Sequence, residues 1–262
     1  MIDPVVVSIQ IGDFHPAIRW YSLAYVFGIM LGWWYISWSN KKDKFFGEDA
    51  LEATLTWAVL GIILGGRIGY VLFYNPVYYA THIMEAFKVW EGGMSFHGGL
   101  LGVIIAFYLF SRKYKLPFLS VMDRLAIVTP IGLFLGRIAN FINAELYGRK
   151  TDVPWGVIFP NTDGIPRHPS QLYEATLEGL ILFAILFILV CYTKSLKKSG
   201  FVSGCFLIGY SVARLAVEFV REPDEGVSLL FDVITRGQLL SIPMVLVGLF
   251  LIYRARKQNE LG

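Results

Sequence analysis

One short stretch, residues 136–149, holds the side chains best suited to chemistry, at the end of an otherwise apolar run. It contains Arg137, Asn140, Asn143 and Glu145. The planar guanidinium fork of arginine matches phosphate oxygens and stays charged, and side-chain amides donate to the same oxygens. A charged side chain at the centre of a bilayer costs about 2.5–3.5 kcal/mol, so a segment that keeps several polar groups near one membrane face is expected to use them. The stretch predicts a binding site for an anionic head group.

A second polar stripe lies in a later apolar segment. Arg214, Glu218 and Arg221 recur at intervals that place them on one face of a helix. Arg214 and Glu218 could form a neutralising intrahelical pair, but Arg221 is then expected to leave positive charge in surplus, which favours anion binding. The asparagines at 140 and 143 have an alternative of the same kind, because they could simply join helices by hydrogen bonds.

His97 lies in a glycine-dense segment, residues 92–99. Glycine permits positive φ and close approach of the backbone, and imidazole is the side chain whose ordinary pKa lies nearest neutral pH. His97 is therefore a candidate general base, with a structural histidine as the alternative. Arg67, in residues 65–70, resembles the other candidate residues, although helix packing by small residues explains its glycines equally well.

The sequence has no motif for a nucleophile of its own. It lacks the serine-hydrolase elbow, the zinc-protease helix and the nucleotide-binding loop. Cys191 and Cys205 lie in apolar runs without metal-site spacing. A reaction is thus expected to borrow its nucleophile from a substrate, and no metal or cofactor is predicted. The net charge of +3 is spread over loops, so no nucleic-acid partner is predicted.

The composition predicts that membrane helices position these residues. Hydrophobic residues make up 55% of the chain and charged residues 16%, against about 25% charged residues in average soluble proteins. A spanning helix needs about 20 apolar residues, and backbone in lipid must be helical to satisfy its polar groups. Seven segments approach this length, near residues 20–38, 50–74, 97–111, 120–142, 170–192, 201–220 and 237–253.

The distribution of basic residues predicts the topology. Clusters of lysine and arginine occur in alternate connections, which the positive-inside rule assigns to the cytoplasm. They are Lys41, Lys42 and Lys44; Arg112, Lys113 and Lys115; Lys194, Lys197 and Lys198; and Arg254, Arg256 and Lys257. We therefore expect an all-α polytopic membrane protein with seven transmembrane helices, its N-terminus outside and its C-terminus cytoplasmic.

The whole chain, residues 1–262, is expected to form a single integral membrane domain. Residues 143–169, rich in glycine and proline, are expected to form a small outer (periplasmic) head between spans four and five. This topology brings the candidate residues, together with Tyr21 at the start of span one, to the level of the outer leaflet. Asp123 lies near an inner helix end, where snorkelling explains it.

Several segments resemble the motifs of the prolipoprotein diacylglyceryl transferases. The resemblance includes residues 93–100, 136–148, 167–174 and 214–224, together with Trp20–Tyr21 and residues 65–70. The matches keep their order and cover almost the whole chain. The outer segment between Gly148 and Arg167 is shorter than in some family members.

The resemblance implies the reaction. An enzyme of this family, in the bacterial cytoplasmic (inner) membrane, moves the diacylglyceryl group of phosphatidylglycerol to the lipobox cysteine thiol of a prolipoprotein. A thioether forms and glycerol phosphate leaves, as the first step of lipoprotein maturation. The implied partners are phosphatidylglycerol, the signal-peptide and lipobox segment, and membrane lipids, with no further cofactor. The resemblance points to six important positions: Tyr21, His97, Arg137, Asn140, Gly148 and Arg214.

Roles follow as hypotheses for these residues. The predicted catalytic residues are Tyr21, His97, Arg137 and Arg214. The predicted phosphatidylglycerol-binding residues are Arg137, Asn140, Asn143, Glu145, Gly148, Arg214, Glu218 and Arg221. Arg137 and Arg214 are expected to clamp the phosphate, with Glu218 orienting Arg214. The general base stays open, because nearby arginines would lower both the proton affinity of an imidazole and the pKa of the incoming thiol.

Alternatives from other classes remain. A transporter or flippase for anionic lipids would explain arginines in a lipid-accessible cavity, but it is expected to have polar groups through the full depth of the membrane. A non-enzymatic lipoprotein-binding scaffold would bind both substrates without making a thioether, and residue spacing does not exclude it. A heptahelical receptor matches only the number of spans. Detection of a covalent product separates the transferase from all of these.

Overall fold

The computed structural model describes residues 2–8, 17–160, 162–222 and 236–260, and these are mostly helical. Two short antiparallel strands, β1 (Val5–Ser8) and β2 (Ala17–Arg19), precede the helices. The α-helices are α1 (Trp20–Asp43), α2 (Glu48–Phe73), α3 (Pro76–Thr81), α4 (Phe96–Lys113), α5 (Phe118–Ile142), α6 (Ser170–Glu174), α7 (Leu182–Tyr192), α8 (Phe201–Glu218) and α9 (Arg236–Glu260). Short 3₁₀ turns lie at Ile83–Phe87, Val89–Glu91 and Ser195–Lys197.

Helices α6 and α7 belong to one continuous helix. A π-helical stretch, Ala175–Ile181, joins them, so helical backbone runs from residue 170 to residue 192. Prolines 130 and 243 lie inside α5 and α9 without ending either helix. Membrane helices tolerate such prolines because neighbouring groups satisfy the freed carbonyls.

The protein is a multi-pass membrane protein by the length and composition of its helices. Within the described ranges, five helices are long and apolar enough to cross a bilayer: Glu48–Phe73, Phe118–Ile142, Ser170–Tyr192, Phe201–Glu218 and Gly237–Lys257. This confirms the predicted class of membrane fold. Helices α1 and α4 are also long, with 24 and 18 residues, but they are not among these five. Tryptophan and tyrosine lower the mean hydropathy of α1, and His97, Arg112 and Lys113 lower that of α4. Seven spans and the orientation of the termini stay predictions.

The chain forms two compact units, which are described separately. Unit one comprises Met1–Tyr35 and Asp123–Gly262, and unit two comprises Ile36–Met122. A hydrophobic core in unit one contains Tyr35, Ala126, Ile127, Leu182, Leu186 and Val202. Helices α8 and α9 pack closely in this unit. A Cβ added to Gly204 would lie only 2.7 Å from the carbonyl oxygen of Gly248, so the approach requires glycine at position 204.

Asp123 of α5 caps the beginning of α8. Its carboxylate is fully buried and accepts hydrogen bonds from the backbone N–H groups of Gly200 (2.7 Å) and Ser203 (2.8 Å) and from the Ser203 hydroxyl (2.7 Å). The first N–H groups of a helix have no partner within the helix. The expected snorkelling is therefore wrong for Asp123, which instead satisfies the start of the helix that carries Arg214.

In unit two, glycines let α2 and α4 approach closely. A Cβ on Gly98 would lie 2.5 Å from the carbonyl oxygen of Gly65 and 2.8 Å from the Cα of Gly69. Small residues at such interfaces allow backbones to come into contact in membrane proteins. Helix packing therefore accounts for the glycines of residues 65–70, which was the alternative to a role in anion binding.

Candidate functional site

Three arginines and three glutamates meet in unit one. We call this set the arginine–glutamate cluster: Arg137, Glu174, Glu178, Arg214, Glu218 and Arg221. The cluster joins α5, the continuous helix 170–192 and the C-terminal end of α8. It brings together Arg137 from the first predicted polar stretch and Arg214, Glu218 and Arg221 from the second, and it adds Glu174 and Glu178.

Glu174 contacts all three arginines. Its Oε1 accepts hydrogen bonds from Arg214 Nη1 (2.5 Å) and Arg221 Nη1 (3.0 Å), and its Oε2 lies 3.1 Å from Arg137 Nε. The side chain of Glu174 is fully buried. Buried charges are tolerated when they are paired and hydrogen-bonded. Oε1 meets both conditions, whereas Oε2 is paired with Arg137 without accepting a hydrogen bond from the described residues.

The other two carboxylates each pair with one arginine. Arg214 Nη2 lies 2.8 Å from Glu218 Oε2, so the pair expected from helical spacing is present. Arg137 Nη2 lies 3.5 Å from Glu178 Oε2, and Glu178 is also fully buried.

The charges in the cluster balance. When all three carboxylates are ionised, their three negative charges equal the three positive charges of Arg137, Arg214 and Arg221. The expectation that Arg221 leaves positive charge in surplus is therefore wrong for this part of the chain. It failed because the interpretation counted only the carboxylate of Glu218, whereas Glu174 and Glu178 contribute two more.

The arginines lie closer to the accessible side of the cluster than the glutamates of helix 170–192. The side chains of Arg137 and Arg214 are 18% and 14% exposed, against 0% for Glu174 and Glu178. Arg137 Nη1 and Arg214 Nε donate no hydrogen bond to the described residues. These donors can reach an anionic oxygen from the accessible side, with the carboxylates behind them.

The π-helical stretch carries the second glutamate. Glu174 and Glu178 lie four residues apart and share one side of the helix. Single π-helical turns in α-helices often occur at functional sites. Neither residue was among the predicted site residues, although carboxylates in so apolar a span are by default candidates for function.

Asn140, Asn143 and Glu145 form one hydrogen-bonded group at the C-terminal end of α5 and in the turn that follows it. Glu145 Oε1 accepts from Asn140 Nδ2 (2.7 Å) and Asn143 Nδ2 (3.3 Å). The backbone oxygen of Glu145 accepts from Gln171 Nε2 (2.6 Å), which ties this turn to the start of helix 170–192. The predicted partners for a lipid head group are thus held together, and a lipid oxygen has to compete with Glu145 for the amide of Asn140.

Gly148 lies where the polypeptide crosses the end of α8. Its N–H donates to the carbonyl of His168 (2.9 Å), and it forms a bridge with Arg221. A Cβ on Gly148 would lie 2.5 Å from the carbonyl oxygen of Val220. Close backbone approach is sufficient to require glycine here, and the predicted role of Gly148 in lipid binding stays a prediction.

The segment predicted as an outer head is built from turns and isolated bridges. Residues 143–160 and 162–169 contain no helix, and bridges join Arg167 to both Lys150 and Val157. Arg149 Nε donates to the carbonyl of Arg221 (2.9 Å). A hydrogen bond from Lys150 lowers the pKa of the Asp163 carboxyl below its ordinary value.

Tyr21 belongs to unit one and His97 to unit two. Tyr21, in unit one, lies beside Tyr25, with 3.5 Å between their hydroxyl oxygens. His97, in unit two, is exposed in the first turn of α4. The Ser95 hydroxyl caps this helix by accepting from the N–H of Gly98 (3.2 Å).

Arg67 organises the loop that precedes His97. Its guanidinium donates to the carbonyls of Ala86 (2.8 Å), Glu85 (2.6 Å), Gly92 (2.5 Å) and Gly93 (3.2 Å). The residue is buried. Its resemblance to the anion-binding candidates is therefore misleading, because its N–H groups are occupied by backbone carbonyls.

Gly92 and Gly93 both have positive φ, 88° and 79°, a region that glycine enters without steric cost.

No three His, Cys, Asp or Glu side chains in the described ranges are arranged to hold a metal ion. Cys191 and Cys205 are free thiols.

The family model for prolipoprotein diacylglyceryl transferase matches residues 4–254. A protein of Rickettsia felis named phosphatidylglycerol–prolipoprotein diacylglyceryl transferase is 56% identical over 252 residues, which cover 96% of each chain. The proteins of the same name in Cereibacter sphaeroides and Rhodospirillum rubrum are each 49% identical. The former covers 98% of this chain and 97% of its own length, and the latter covers 100% and 95%.

Proposed function

Because the chain belongs to the prolipoprotein diacylglyceryl transferase family, we propose that it transfers the diacylglyceryl group of phosphatidylglycerol to prolipoproteins. The acceptor is the thiol of the lipobox cysteine. The observation that carries this proposal to particular residues is the arginine–glutamate cluster, whose arginines are partly accessible within otherwise apolar helices. A pair of partly accessible guanidinium groups of this kind suits a lipid phosphate better than it suits a neutral ligand.

The chemistry requires the phosphate to be stabilised as it leaves. The thiol sulfur forms a bond to the terminal glycerol carbon of the diacylglyceryl group, and the bond from that carbon to the phosphate oxygen breaks. The phosphodiester becomes a monoester, so negative charge grows on its oxygens. Fixed donors aimed at developing charge stabilise a transition state more than the ground state. Arg137 and Arg214 are the proposed donors.

Neighbouring polar residues are proposed to complete the lipid site. Glu218 lies 2.8 Å from Arg214 and orients it, and Arg221 adds a third guanidinium. The Asn140, Asn143 and Glu145 group is proposed to hold the glycerol end of the head group, because its amides and carboxylate can exchange hydrogen bonds with hydroxyls.

The thiol proton needs an acceptor. His97 is the candidate base, since an imidazole is effective near neutral pH, and Tyr21 is the second candidate for a catalytic role. Positive charge near the incoming sulfur lowers the pKa of a thiol. A variant in which asparagine replaces His97 is therefore compatible with residual transfer.

We place the reaction at the outer leaflet of the bacterial cytoplasmic membrane. Two observations support this proposal: the five apolar helices, α1 and α4 overlap the seven predicted segments, and the basic loops favour an N-terminus on the outside. In this arrangement residues 143–169 form a periplasmic head. The prolipoprotein signal peptide and membrane lipids are then the partners within the bilayer.

The test is a transfer assay on the purified protein in bilayers that contain phosphatidylglycerol. A synthetic lipobox peptide is added and its mass is measured. We expect a gain of one diacylglyceryl group, which is lost when the peptide cysteine is replaced by serine or when the protein carries Arg214→Ala. Binding of lipid and peptide without a mass gain would favour a scaffold, and movement of labelled lipid between leaflets without a product would favour a flippase.

A further inference from the structure

We propose that Glu174 is the positioning residue that sets the orientation and spacing of the three arginines, an inference that rests on the proposed function. Its two oxygens contact Arg137, Arg214 and Arg221 at 3.1, 2.5 and 3.0 Å. The arginines come from two helical regions far apart in sequence, and they share this carboxylate. Glu178 and Glu218 each pair with one arginine.

The position of Glu174 on the backbone is itself fixed. The hydroxyl of Ser170 donates to the carbonyl of Leu146 (2.9 Å), and Gln171 Nε2 donates to the carbonyl of Glu145 (2.6 Å). Both bonds tie the first turn of helix 170–192 to the turn that follows α5. Ser170, Gln171 and Glu174 are each fully buried. The carboxylate is therefore held on a rigid support, as effective positioning of a reacting group requires.

The contacts also determine which donors remain for a ligand. Glu174 and its two neighbouring carboxylates engage Nε and Nη2 of Arg137 and both Nη atoms of Arg214. Arg137 Nη1 and Arg214 Nε are left for the accessible side. An arginine side chain has many rotamers, so ordering it costs conformational entropy. A single buried acceptor that fixes three such side chains prepares them before the lipid arrives.

The same carboxylate opposes binding of the lipid. The cluster is formally neutral when its glutamates are ionised, so an entering phosphodiester brings an unbalanced negative charge. Removing the charge of Glu174 is therefore expected to strengthen binding of the anion. In Glu174→Gln one acceptor oxygen remains, but the other carboxylate oxygen is replaced by an NH₂ donor. The three arginines then no longer share one charged acceptor, so they lose their orientation and transfer slows. A variant that binds more tightly yet reacts more slowly is the signature of this role.

The decisive variant is Glu174→Gln, with Glu218→Gln as the matched control. Each variant removes one negative charge from the cluster, but among the arginines of the described residues Glu218 pairs with Arg214 and not with the other two. Both are expected to bind phosphatidylglycerol about threefold or more tightly, as measured without peptide so that no reaction occurs. The kcat of Glu174→Gln is expected to fall about 100-fold, the size of effect that a displacement of about 1 Å at a reacting centre can have. The kcat of Glu218→Gln is expected to fall much less.

A charge-conserving variant separates positioning from charge. Glu174→Asp keeps the carboxylate but shortens its reach, so we expect an unchanged dissociation constant for phosphatidylglycerol and a reduced kcat. Thermal unfolding in detergent identifies a variant that fails to fold. If Glu174→Gln does not fold, Glu174→Asp decides the question, and full activity of that variant overturns the proposal.

Two further results would overturn it: equal kcat values for Glu174→Gln and Glu218→Gln, or weaker lipid binding by Glu174→Gln. Failure of the proposed function is distinguishable, because the unaltered protein would then make no product. The binding measurements with phosphatidylglycerol would in that case still report on the cluster.

Discussion

Replacing Asp123 by alanine is expected to lower the free energy of unfolding by about 4 kcal/mol. The substitution removes three hydrogen bonds to one charged acceptor, at 2.7, 2.8 and 2.7 Å, and leaves the N–H groups of Gly200 and Ser203 buried without this partner. A hydrogen bond to a charged group contributes about 1.5–3 kcal/mol. The contributions of bonds that share one carboxylate are not additive. The total for the three bonds is therefore expected to lie near the low end of this range, at about 1.5 kcal/mol for each bond.

The assay is reversible unfolding in mixed micelles titrated with a denaturing detergent. Ser203→Ala is the matched control, because it removes the hydroxyl donor alone and keeps both backbone bonds to Asp123. We expect it to cost about 1 kcal/mol, the usual contribution of one hydrogen bond. Asp123→Asn, which retains an acceptor oxygen without the charge, is expected to lie between the two. If Asp123→Ala were no more destabilising than Ser203→Ala, the assignment of Asp123 as the cap of α8 would be refuted.

Two further substitutions follow from the site and from the helix packing. Arg137→Lys is expected to lower kcat/KM about 100-fold in the transfer assay, because an ammonium cannot reproduce the fork that reaches Glu174 and Glu178 together; near-normal turnover would contradict the clamp. Gly98→Ala is expected to destabilise the protein by about 1–3 kcal/mol, the usual cost of overpacking, since the new methyl group would lie 2.5 Å from the carbonyl oxygen of Gly65. Thermal unfolding measures this effect. Gly132→Ala, inside α5, is the control because a Cβ there has nothing within 4 Å. Equal melting temperatures for the two variants would contradict close packing of α2 and α4.

The helices could be predicted because each depends on local sequence. The run from Phe118 to Ile142, for example, is apolar over its whole length, and the structure has α5 over those residues. The pair of Arg214 and Glu218 was predictable for the same reason, since both lie on one helix at a spacing that brings them together. Predictions of this kind need only the period of the helix.

The rest of the site depends on contacts between distant parts of the chain. Glu174 meets Arg137 and Arg214 across 37 and 40 residues respectively, and no local period reveals such contacts. Arg67 looked like an anion-binding residue because its type and depth resemble those of Arg137. Only the structure reveals that backbone carbonyls occupy its N–H groups.

The arginine–glutamate cluster also has a consequence for biogenesis. Its charges are synthesised in an order that alternates in sign: Arg137 comes first, Glu174 and Glu178 follow, and Arg214 arrives next. When helix 170–192 leaves the ribosome, α5 already offers the guanidinium of Arg137 to its carboxylates. Arg214 of α8 and Arg221, which follows α8, then supply the other two guanidinium groups. Unpaired charges in a membrane helix are costly. These helices are therefore expected to leave the translocon and enter the bilayer as a group rather than one at a time.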